Sequence, residues 1–271
     1  MKVAFIGDIV GRPGREMLQK HLHKIRAEYK LDLVIANYEN ASHGFGLTQK
    51  NCKELLSYGV DVMTGGNHSW DKKEIFELYK TEPLIRPINY PDSSPGKGLI
   101  EIEIHGTTVA IINVMGNYTM PMCDNPFIKV DKVVDELKNR AINHIIVDIH
   151  AEATSEKIAM MHILKDRISA LIGTHTHVGT DDLSIIDGCC YLSDVGLTGC
   201  RDGVIGMDKE IPIGRFMTSI GGHYNIPKKC QTILQVVIFE LDGEGQTTTA
   251  QKLKIYDNDE TIKFEARMES Y

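Results

Sequence analysis

Carboxylate, amide and imidazole side chains recur in this 271-residue chain where short apolar runs end. Because the carboxyl ends of parallel strands meet at one edge of an α/β sheet, residues distant in sequence can form a single site there. Taken singly, an aspartate after a strand is usually a turn residue, and a lone histidine is more often structural. The repetition of such polar residues at the ends of several apolar runs predicts one shared binding site. Its members are Asp8, Glu39, Asn40, Asn67, His150, His175 and His177.

The residue types in this set favour a transition metal. Imidazole together with carboxylate and amide oxygen suits Mn, Fe or Zn better than Ca²⁺ or Cu(I). One catalytic zinc takes about three protein ligands. The seven candidate ligands are therefore more than one ion needs, and they fit two ions that share a bridging group. Two ions about 3.5–4 Å apart hold the attacking and leaving oxygens of an in-line displacement at phosphorus. The sequence therefore predicts phosphoester hydrolysis with two ions, Fe or Mn first and Zn or Mg as alternatives.

The elements that must position these side chains follow from the hydrophobic pattern. Up to residue 180, short apolar runs alternate with amphipathic stretches, which is typical of an α/β protein with buried strands. Later, residues 234–241 and 251–256 flank a turn at 242–245 and predict a hairpin. With no repeat or low-complexity linker, residues 1–271 are expected to form one domain. We predict strands at 3–6, 33–36, 60–63, 100–104, 109–114, 145–149 and 171–173, and helices at 15–28 and 155–166 and around Leu55 and Val134.

Charge and cysteine usage limit the partners and the compartment. Lys and Arg total 30 against 37 Asp and Glu, a net charge of −7, which disfavours wrapping duplex nucleic acid through many phosphate contacts. A small anion remains compatible if metal supplies the positive charge. No signal-peptide pattern and no run of about 18–20 apolar residues occurs, so we expect no membrane span and a cytoplasmic protein. The six cysteines lack a Cys-x-x-Cys pair and are expected to be free thiols.

A nucleotide-binding alternative rests on the glycines after the first strand. Gly7, Gly11 and Gly14 have the spacing Gly-x-x-x-Gly-x-x-Gly, not the Gly-x-Gly-x-x-Gly of a dinucleotide fold. Asp8 would also face a pyrophosphate with the wrong charge. No Walker-type Gly-x-x-x-x-Gly-Lys-Ser/Thr motif occurs, so both a dinucleotide-binding protein and an NTPase are disfavoured.

Eight short motifs carry a resemblance that extends over most of the chain. They are Gly7-Asp8-Ile9-Val10-Gly11-Arg12-Pro13-Gly14, Glu39-Asn40-Ala41, Gly46-Leu47-Thr48, Gly66-Asn67-His68-Ser69-Trp70-Asp71, Arg86-Pro87, His150-Ala151-Glu152-Ala153-Thr154-Ser155-Glu156-Lys157, Gly173-Thr174-His175-Thr176-His177 and Asp194-Val195-Gly196. Together they resemble the calcineurin-like metallophosphoesterase superfamily, and most closely its bacterial YmdB-like branch. As in that branch, Val10 and Glu39 stand where the wider superfamily usually has a histidine and a bridging aspartate, and Asn40 takes the place of the histidine.

The resemblance implies a fold and a division of roles. The fold is a four-layer α/β/β/α sandwich of two mixed β-sheets flanked by helices. One metal site would use Asp8, Glu39, Asn40 and His177, and the other would use bridging Glu39 with Asn67, His150 and His175. His68 would be the general acid. Asp71 could orient His68, but we expect it to cap a helix that begins at Lys72.

The function implied is hydrolysis of cyclic nucleotides, with 2′,3′-cyclic nucleotides as a plausible preference. A metal-bound hydroxide would attack phosphorus in line while His68 protonates the departing ribose oxygen. His43, Arg12 and Arg86 are candidates for contact with substrate. The alternatives are a non-catalytic regulatory protein that binds metal and nucleotide or RNA, and a phosphomonoesterase or nuclease of the same superfamily. A homo-oligomer would be consistent with the family.

Overall fold

Two mixed sheets contain the strands of the computed structural model, which describes residues 1–270. The strands are β1 (Lys2–Ile6), β2 (Leu33–Asn37), β3 (Val62–Thr64), β4 (Leu84–Ile85), β5 (Leu99–Ile104), β6 (Thr107–Met115), β7 (His144–His150), β8 (Ala170–Thr174), β9 (Ser184–Ile186), β10 (Cys189–Leu192), β11 (Gly199–Cys200), β12 (Thr232–Leu241), β13 (Thr247–Tyr256), β14 (Thr261–Glu265) and β15 (Arg267–Glu269). The helices are α1 (Gly11–Tyr29), α2 (Gln49–Ser57), α3 (Ile75–Thr81), α4 (Pro126–Asn139), α5 (Thr154–Leu164) and α6 (Glu210–Thr218).

Each sheet has a parallel centre and antiparallel additions. The first has the order β14-β13-β12-β1-β2-β3-β4, with β11 paired to β12, and its β1 to β4 run parallel. The second has the order β15-β9-β10-β8-β7-β6-β5, and β6, β7, β8 and β10 run parallel. Several strand ends in each sheet therefore point to a common edge.

Burial along β1 shows how the layers stack. Ala4 and Ile6 pack in the cluster that contains the apolar face of α1, whereas Val3 and Phe5 pack against side chains of the second sheet. A third cluster lies between the second sheet and helices α4 and α5. Strands buried on both faces read as continuous apolar runs, which is why the sequence predicted them. The predicted four-layer α/β/β/α sandwich is confirmed.

The glycines after β1 allow close packing of backbone. A Cβ atom on Gly7 would overlap the carbonyl oxygen of Gly196, and one on Gly14 would overlap that of Thr198. Gly11, with φ of +59°, starts α1 four residues before the predicted start. These glycines thus bring the strand end carrying Asp8 against the 196–198 segment.

Several elements after residue 180 were not predicted from the pattern. Strands β9, β10, β11 and β15 have two to four residues each, too few to show a period. The C-terminal hairpin is confirmed as β12 and β13. The helix predicted to begin at residue 155 begins at Thr154, with Ala153 as its N-cap and no side-chain cap bond.

The prediction of free thiols is wrong for two of the six cysteines. Cys200 and Cys230 form a disulfide, with Cα atoms 5.6 Å apart and a separation of 30 positions in sequence. Pairing of β11 with β12 brings the two together, which sequence spacing does not reveal. Free thiols are confirmed at Cys52, Cys123, Cys189 and Cys190.

Within residues 1–270, no helix is both long enough and apolar enough to cross a bilayer.

Candidate metal centre

The structure brings the predicted ligand residues together at the common edge of the two sheets. Asp8 follows β1, Glu39 and Asn40 follow β2, and Asn67 follows β3. His150 is the last residue of β7, and His175 and His177 follow β8.

His150 is at the middle of one group of these residues. Its Nε2 lies 3.0 Å from Glu39 Oε1, 3.0 Å from Asn67 Oδ1 and 3.1 Å from His175 Nδ1. Ligand atoms of Glu39, His150 and His175 all lie within 4.8 Å of one another, which is close enough to hold one ion. This group contains the residues predicted for the second metal site.

A second group lies around His177. Its Nε2 is 3.2 Å from Asn40 Oδ1 and 3.8 Å from Asp8 Oδ1. Asp8 connects the groups, because the same Oδ1 is 4.0 Å from His150 Nδ1 and its Oδ2 accepts a hydrogen bond from the His175 backbone N–H at 3.1 Å. The grouping follows the predicted first site, apart from Glu39.

Outer hydrogen-bond partners hold one ring nitrogen of each imidazole, so that the other ring nitrogen faces the centre. Thr174 Oγ1 donates to Asp148 at 2.7 Å, so it accepts from His150 Nδ1 at 2.9 Å, and in the neutral ring Nε2 carries the lone pair. His177 Nδ1 lies 2.7 Å from the Ile205 carbonyl, which can only accept, so its Nε2 also carries a lone pair. Outer partners of this kind fix the tautomer of ligand histidines.

His175 also has an outer partner. Its Nε2 is 3.2 Å from Glu152 Oε2, and its Nδ1 turns inward to lie 3.1 Å from His150 Nε2. As a result, His150 Nε2 faces lone pairs of Glu39, Asn67 and His175 at about hydrogen-bond distance. Acceptor atoms gathered in this way repel one another unless a cation or a proton lies between them. The arrangement fits a cation.

Burial and charge support the same fit. Asp8 is fully buried, and its Oδ1 has no hydrogen-bond partner, which is costly for a carboxylate. Burial raises the pKa of Asp8. Burial would also raise the pKa of Glu39, but attraction to His150 outweighs it and lowers that pKa to about 2.

The pKa values of two imidazoles in the centre shift in opposite directions. Burial disfavours a charged His150, yet the Glu39 and Asp8 carboxylates raise its pKa to about 9. Burial and the neighbouring His150 lower the pKa of His175 to about 3. The centre thus attracts one positive charge strongly and keeps a second imidazole neutral, as ligation requires.

The turn that carries His175 and His177 is held in an unusual backbone conformation. Both residues have positive φ, 98° and 64°, which is uncommon for residues other than glycine. Asp194 Oδ2 accepts hydrogen bonds from the Thr176 backbone N–H at 3.0 Å and from its hydroxyl at 2.8 Å. The same oxygen accepts from buried Lys157 at 3.0 Å. This network holds both histidines in place.

His68 stands beside the centre with its ring partly open to solvent. Its backbone N–H donates to Glu39 Oε2 at 2.9 Å, and its Nδ1 is 2.8 Å from Asp71 Oδ2. The expectation that Asp71 caps a helix is wrong, because α3 begins only at Ile75. Asp71 instead orients His68, and Phe45 packs edge-on against the ring at 4.9 Å between centroids.

A cavity of about 370 Å³ opens in front of these residues. One side is lined by Glu39, Asn40, His68, His175 and His177, and the other side is apolar. Sequence reasoning missed the apolar side, although residues 204–216 contain a run of aliphatic and aromatic side chains that could have indicated it. Its lining residues are Phe45, Val204, Ile205, Met207, Pro212, Phe216 and Tyr224.

Comparison with known proteins identifies the family. The profile described as YmdB-like protein matches residues 4–253. The chain belongs to the YmdB-like family. It is 43% identical over 268 residues to the 2′,3′-cyclic-nucleotide 2′-phosphodiesterase of Bacillus subtilis (strain 168), covering 98% of this chain and 100% of the relative.

Two crystal structures share the fold of this YmdB-like chain. A hypothetical protein from Thermus thermophilus is 37% identical with a TM-score of 0.88, covering 98% of this chain and 100% of the other. A novel phosphatase from Mycoplasma pneumoniae is 32% identical with the same TM-score of 0.88, covering 98% of this chain and 94% of the other. The resemblance drawn from the motifs is therefore confirmed.

Three residues predicted to contact substrate in this YmdB-like chain are not among those lining the cavity. Arg12 is exposed on α1 and pairs with Glu16 at 2.6 Å. Arg86 is buried, and its guanidinium donates to the carbonyls of Pro87 and Ser94. His43 is exposed in the loop after β2. Their contact with substrate stays a prediction.

Proposed function

We propose that this protein is a dinuclear-metal phosphodiesterase that hydrolyses 2′,3′-cyclic nucleotides. One observation carries the proposal: His150, His175 and His177 each turn one ring nitrogen, available as a ligand in the neutral ring, toward a centre that holds two buried carboxylates. The 2′,3′-cyclic-nucleotide 2′-phosphodiesterase activity of the Bacillus subtilis relative supports the substrate class.

The ligands divide between two ions in this proposal. Asp8, Asn40 and His177 would hold one, Asn67, His150 and His175 would hold the other, and Glu39 would bridge them. The imidazole and carboxylate donors favour Fe or Mn, with Zn or Mg as alternatives. When bound, the ions polarise the phosphoryl oxygen and make water a nucleophile at neutral pH.

The chain's own contribution to the chemistry is proton transfer and orientation. His68 Nε2 gives its proton to the leaving ribose oxygen, a step of the kind that contributes about 10²–10⁴-fold to rate. Asp71, at 2.8 Å from His68 Nδ1, fixes the orientation of the ring. The His68 backbone N–H donates to Glu39 Oε2 at 2.9 Å, which holds the residue beside the proposed metal ligands.

The proposal extends to organisation and location. We treat residues 1–271 as one domain, supported by an apolar core that both sheets share. We place the protein in the cytoplasm, supported by four cysteines that remain unpaired, although the Cys200–Cys230 disulfide is an exception for that compartment. A homo-oligomer and an RNA partner stay predictions.

The test is hydrolysis of 2′,3′-cyclic AMP by metal-stripped protein reloaded with Mn(II) or Fe(II), with bound metal quantified. We expect turnover that requires metal and saturates at two ions per chain. p-Nitrophenyl phosphate and bis-p-nitrophenyl phosphate run alongside distinguish a monoesterase from a diesterase. Two bound ions with no turnover of any diester would contradict the proposal and favour a regulatory binding protein.

A further inference from the structure

The apolar side of the cavity comes almost entirely from one segment between β11 and β12. We define the apolar wall as Val204, Ile205, Met207, Pro212, Phe216 and Tyr224. Phosphate and metal need none of these side chains, since both are bound by charged and polar groups. The wall therefore indicates a ligand that has a flat or apolar part beside its phosphate.

The wall is fixed relative to the metal centre. The carbonyl of Ile205 accepts the hydrogen bond from His177 Nδ1 at 2.7 Å, so the wall and a proposed ligand histidine share one contact. Met207 packs in a buried cluster with Val10, Leu197 and Ile233. The Cys200–Cys230 disulfide closes the base of the segment. The position of the wall is thus set by the fold before any ligand arrives.

The outer end of the wall leaves an aromatic ring uncovered. Phe216 on α6 lines the cavity, yet it is 84% exposed. Tyr224 is held beside it by a hydrogen bond from Arg215 to its hydroxyl at 2.9 Å. Nucleobases stack on aromatic side chains because every base has a flat face. The cavity volume of about 370 Å³ is within the range of small-molecule sites.

The position of His68 indicates which part of the ligand meets the wall. Phe45 contacts the His68 ring and continues the apolar side up to it. A leaving oxygen protonated by His68 must therefore lie next to apolar surface. In a 2′,3′-cyclic nucleotide, the carbon that carries the 2′ oxygen is bonded to the carbon that carries the base, so the cyclic phosphate and the base are close enough to occupy the two sides of one cavity.

We propose that the apolar wall is a nucleobase subsite of this cavity, an inference that rests on the proposed function. The oxygen of water forms a bond to phosphorus, the P–O2′ bond breaks, and the His68 proton goes to the 2′ oxygen. The proton lost by the water restores His68. The product is a nucleoside 3′-monophosphate.

The first test compares a base-bearing with a base-free substrate in the metal-loaded enzyme. Phe216→Ala should raise KM for 2′,3′-cyclic AMP about 10-fold, the equivalent of about 1.4 kcal/mol. For methyl riboside 2,3-cyclic phosphate, which has no base, the change should stay below about twofold. Phe216→Tyr keeps the ring and should retain the wild-type KM. Met217→Ala, on the same helix but outside the cavity lining, is the matched control.

Binding measured by calorimetry separates failure of the subsite from failure of the proposed function. Phe216→Ala should weaken binding of adenosine 3′-monophosphate and leave binding of inorganic phosphate unchanged, whether or not the wild type turns over a diester. Equal losses on base-bearing and base-free ligands would overturn the subsite and give the wall a structural role. A wild type that binds 3′-AMP no more tightly than phosphate would also overturn it.

Discussion

Lys157 Nζ lies 3.0 Å from Asp194 Oδ2 in an ion pair whose two side chains are almost fully buried. The ammonium also donates to the Thr174 carbonyl at 2.9 Å, so the pair joins α5 to the end of β8. Because the same carboxylate oxygen holds Thr176, the pair supports the turn that presents His175 and His177.

Lys157→Met should destabilise the protein by about 3–5 kcal/mol, because it leaves the Asp194 carboxylate buried without its partner. Urea unfolding monitored by circular dichroism measures the loss, and bound metal should fall with it. Lys132→Met removes an exposed lysine on α4 and should change the unfolding free energy by less than about 0.5 kcal/mol. Equal stability of the two variants would refute the structural role of the pair.

His68→Ala should lower turnover of 2′,3′-cyclic AMP by about 10²–10⁴-fold, since it removes the proton donor. Bound metal should stay near the wild-type content, because His68 contributes only its backbone N–H to Glu39. Asp8→Asn is the contrasting variant and should lose metal as well as turnover. Elemental analysis of both proteins decides the matter: metal loss in His68→Ala would make His68 a ligand and not an acid.

Cys200→Ser should lower the unfolding free energy by about 2–4 kcal/mol, because the disulfide closes a loop of 30 residues in the unfolded chain. Denaturant unfolding with and without reductant measures the effect. Reductant should destabilise the wild type to the level of the variant. Cys123→Ser, which removes a free thiol, should respond to reductant as the wild type does. A wild type indifferent to reductant, with its thiols shown to be reduced, would contradict this prediction.

Lys252 should make stability rise as pH increases above neutrality. Burial lowers its pKa from 10.5 to about 7, with a further contribution from Lys254. Between these values the unfolded chain binds a proton that the folded chain does not, so the free energy of unfolding increases with pH. Below about pH 7 both states are protonated, and the penalty of burying the charge is complete.

Lys252→Met should remove this rise. The measurement is urea unfolding of wild type and variant at several pH values from 7 to 10, in which the stability advantage of the variant should shrink steadily. Lys263→Met, at a half-exposed position on β14, should follow the wild-type curve. A constant difference between wild type and Lys252→Met over this range would show that Lys252 has an ordinary pKa.

The sequence predicted the strand ends and the proposed ligands because both leave local marks. A buried parallel strand is an apolar run, and a polar residue directly after it, such as Asp8 or His150, stands out. The edge where these ends meet follows from general rules of α/β topology. The family resemblance supplied the division of roles, including the assignment of His68.

The apolar wall, the Lys157–Asp194 pair and the disulfide have no such local mark. Phe216 and Tyr224 lie in a segment without strand or helix periodicity for most of its length, and their shared cavity exists only after folding. Lys157 looks like one more polar residue in a helix until β10 and the following turn bring Asp194 to it. Asp71 was misassigned because a cap and a partner for His68 have the same sequence spacing, and only the late start of α3 distinguishes them.

The hydrogen bond from His177 to the Ile205 carbonyl joins a proposed metal ligand to the proposed base subsite. If a nucleotide on the wall strengthens metal binding through that contact, bound metal must strengthen nucleotide binding by the same factor, because linkage between two sites is reciprocal. Metal affinity measured on the free protein and metal affinity measured during turnover are then two different quantities. The cell's metal concentrations should be compared with the second.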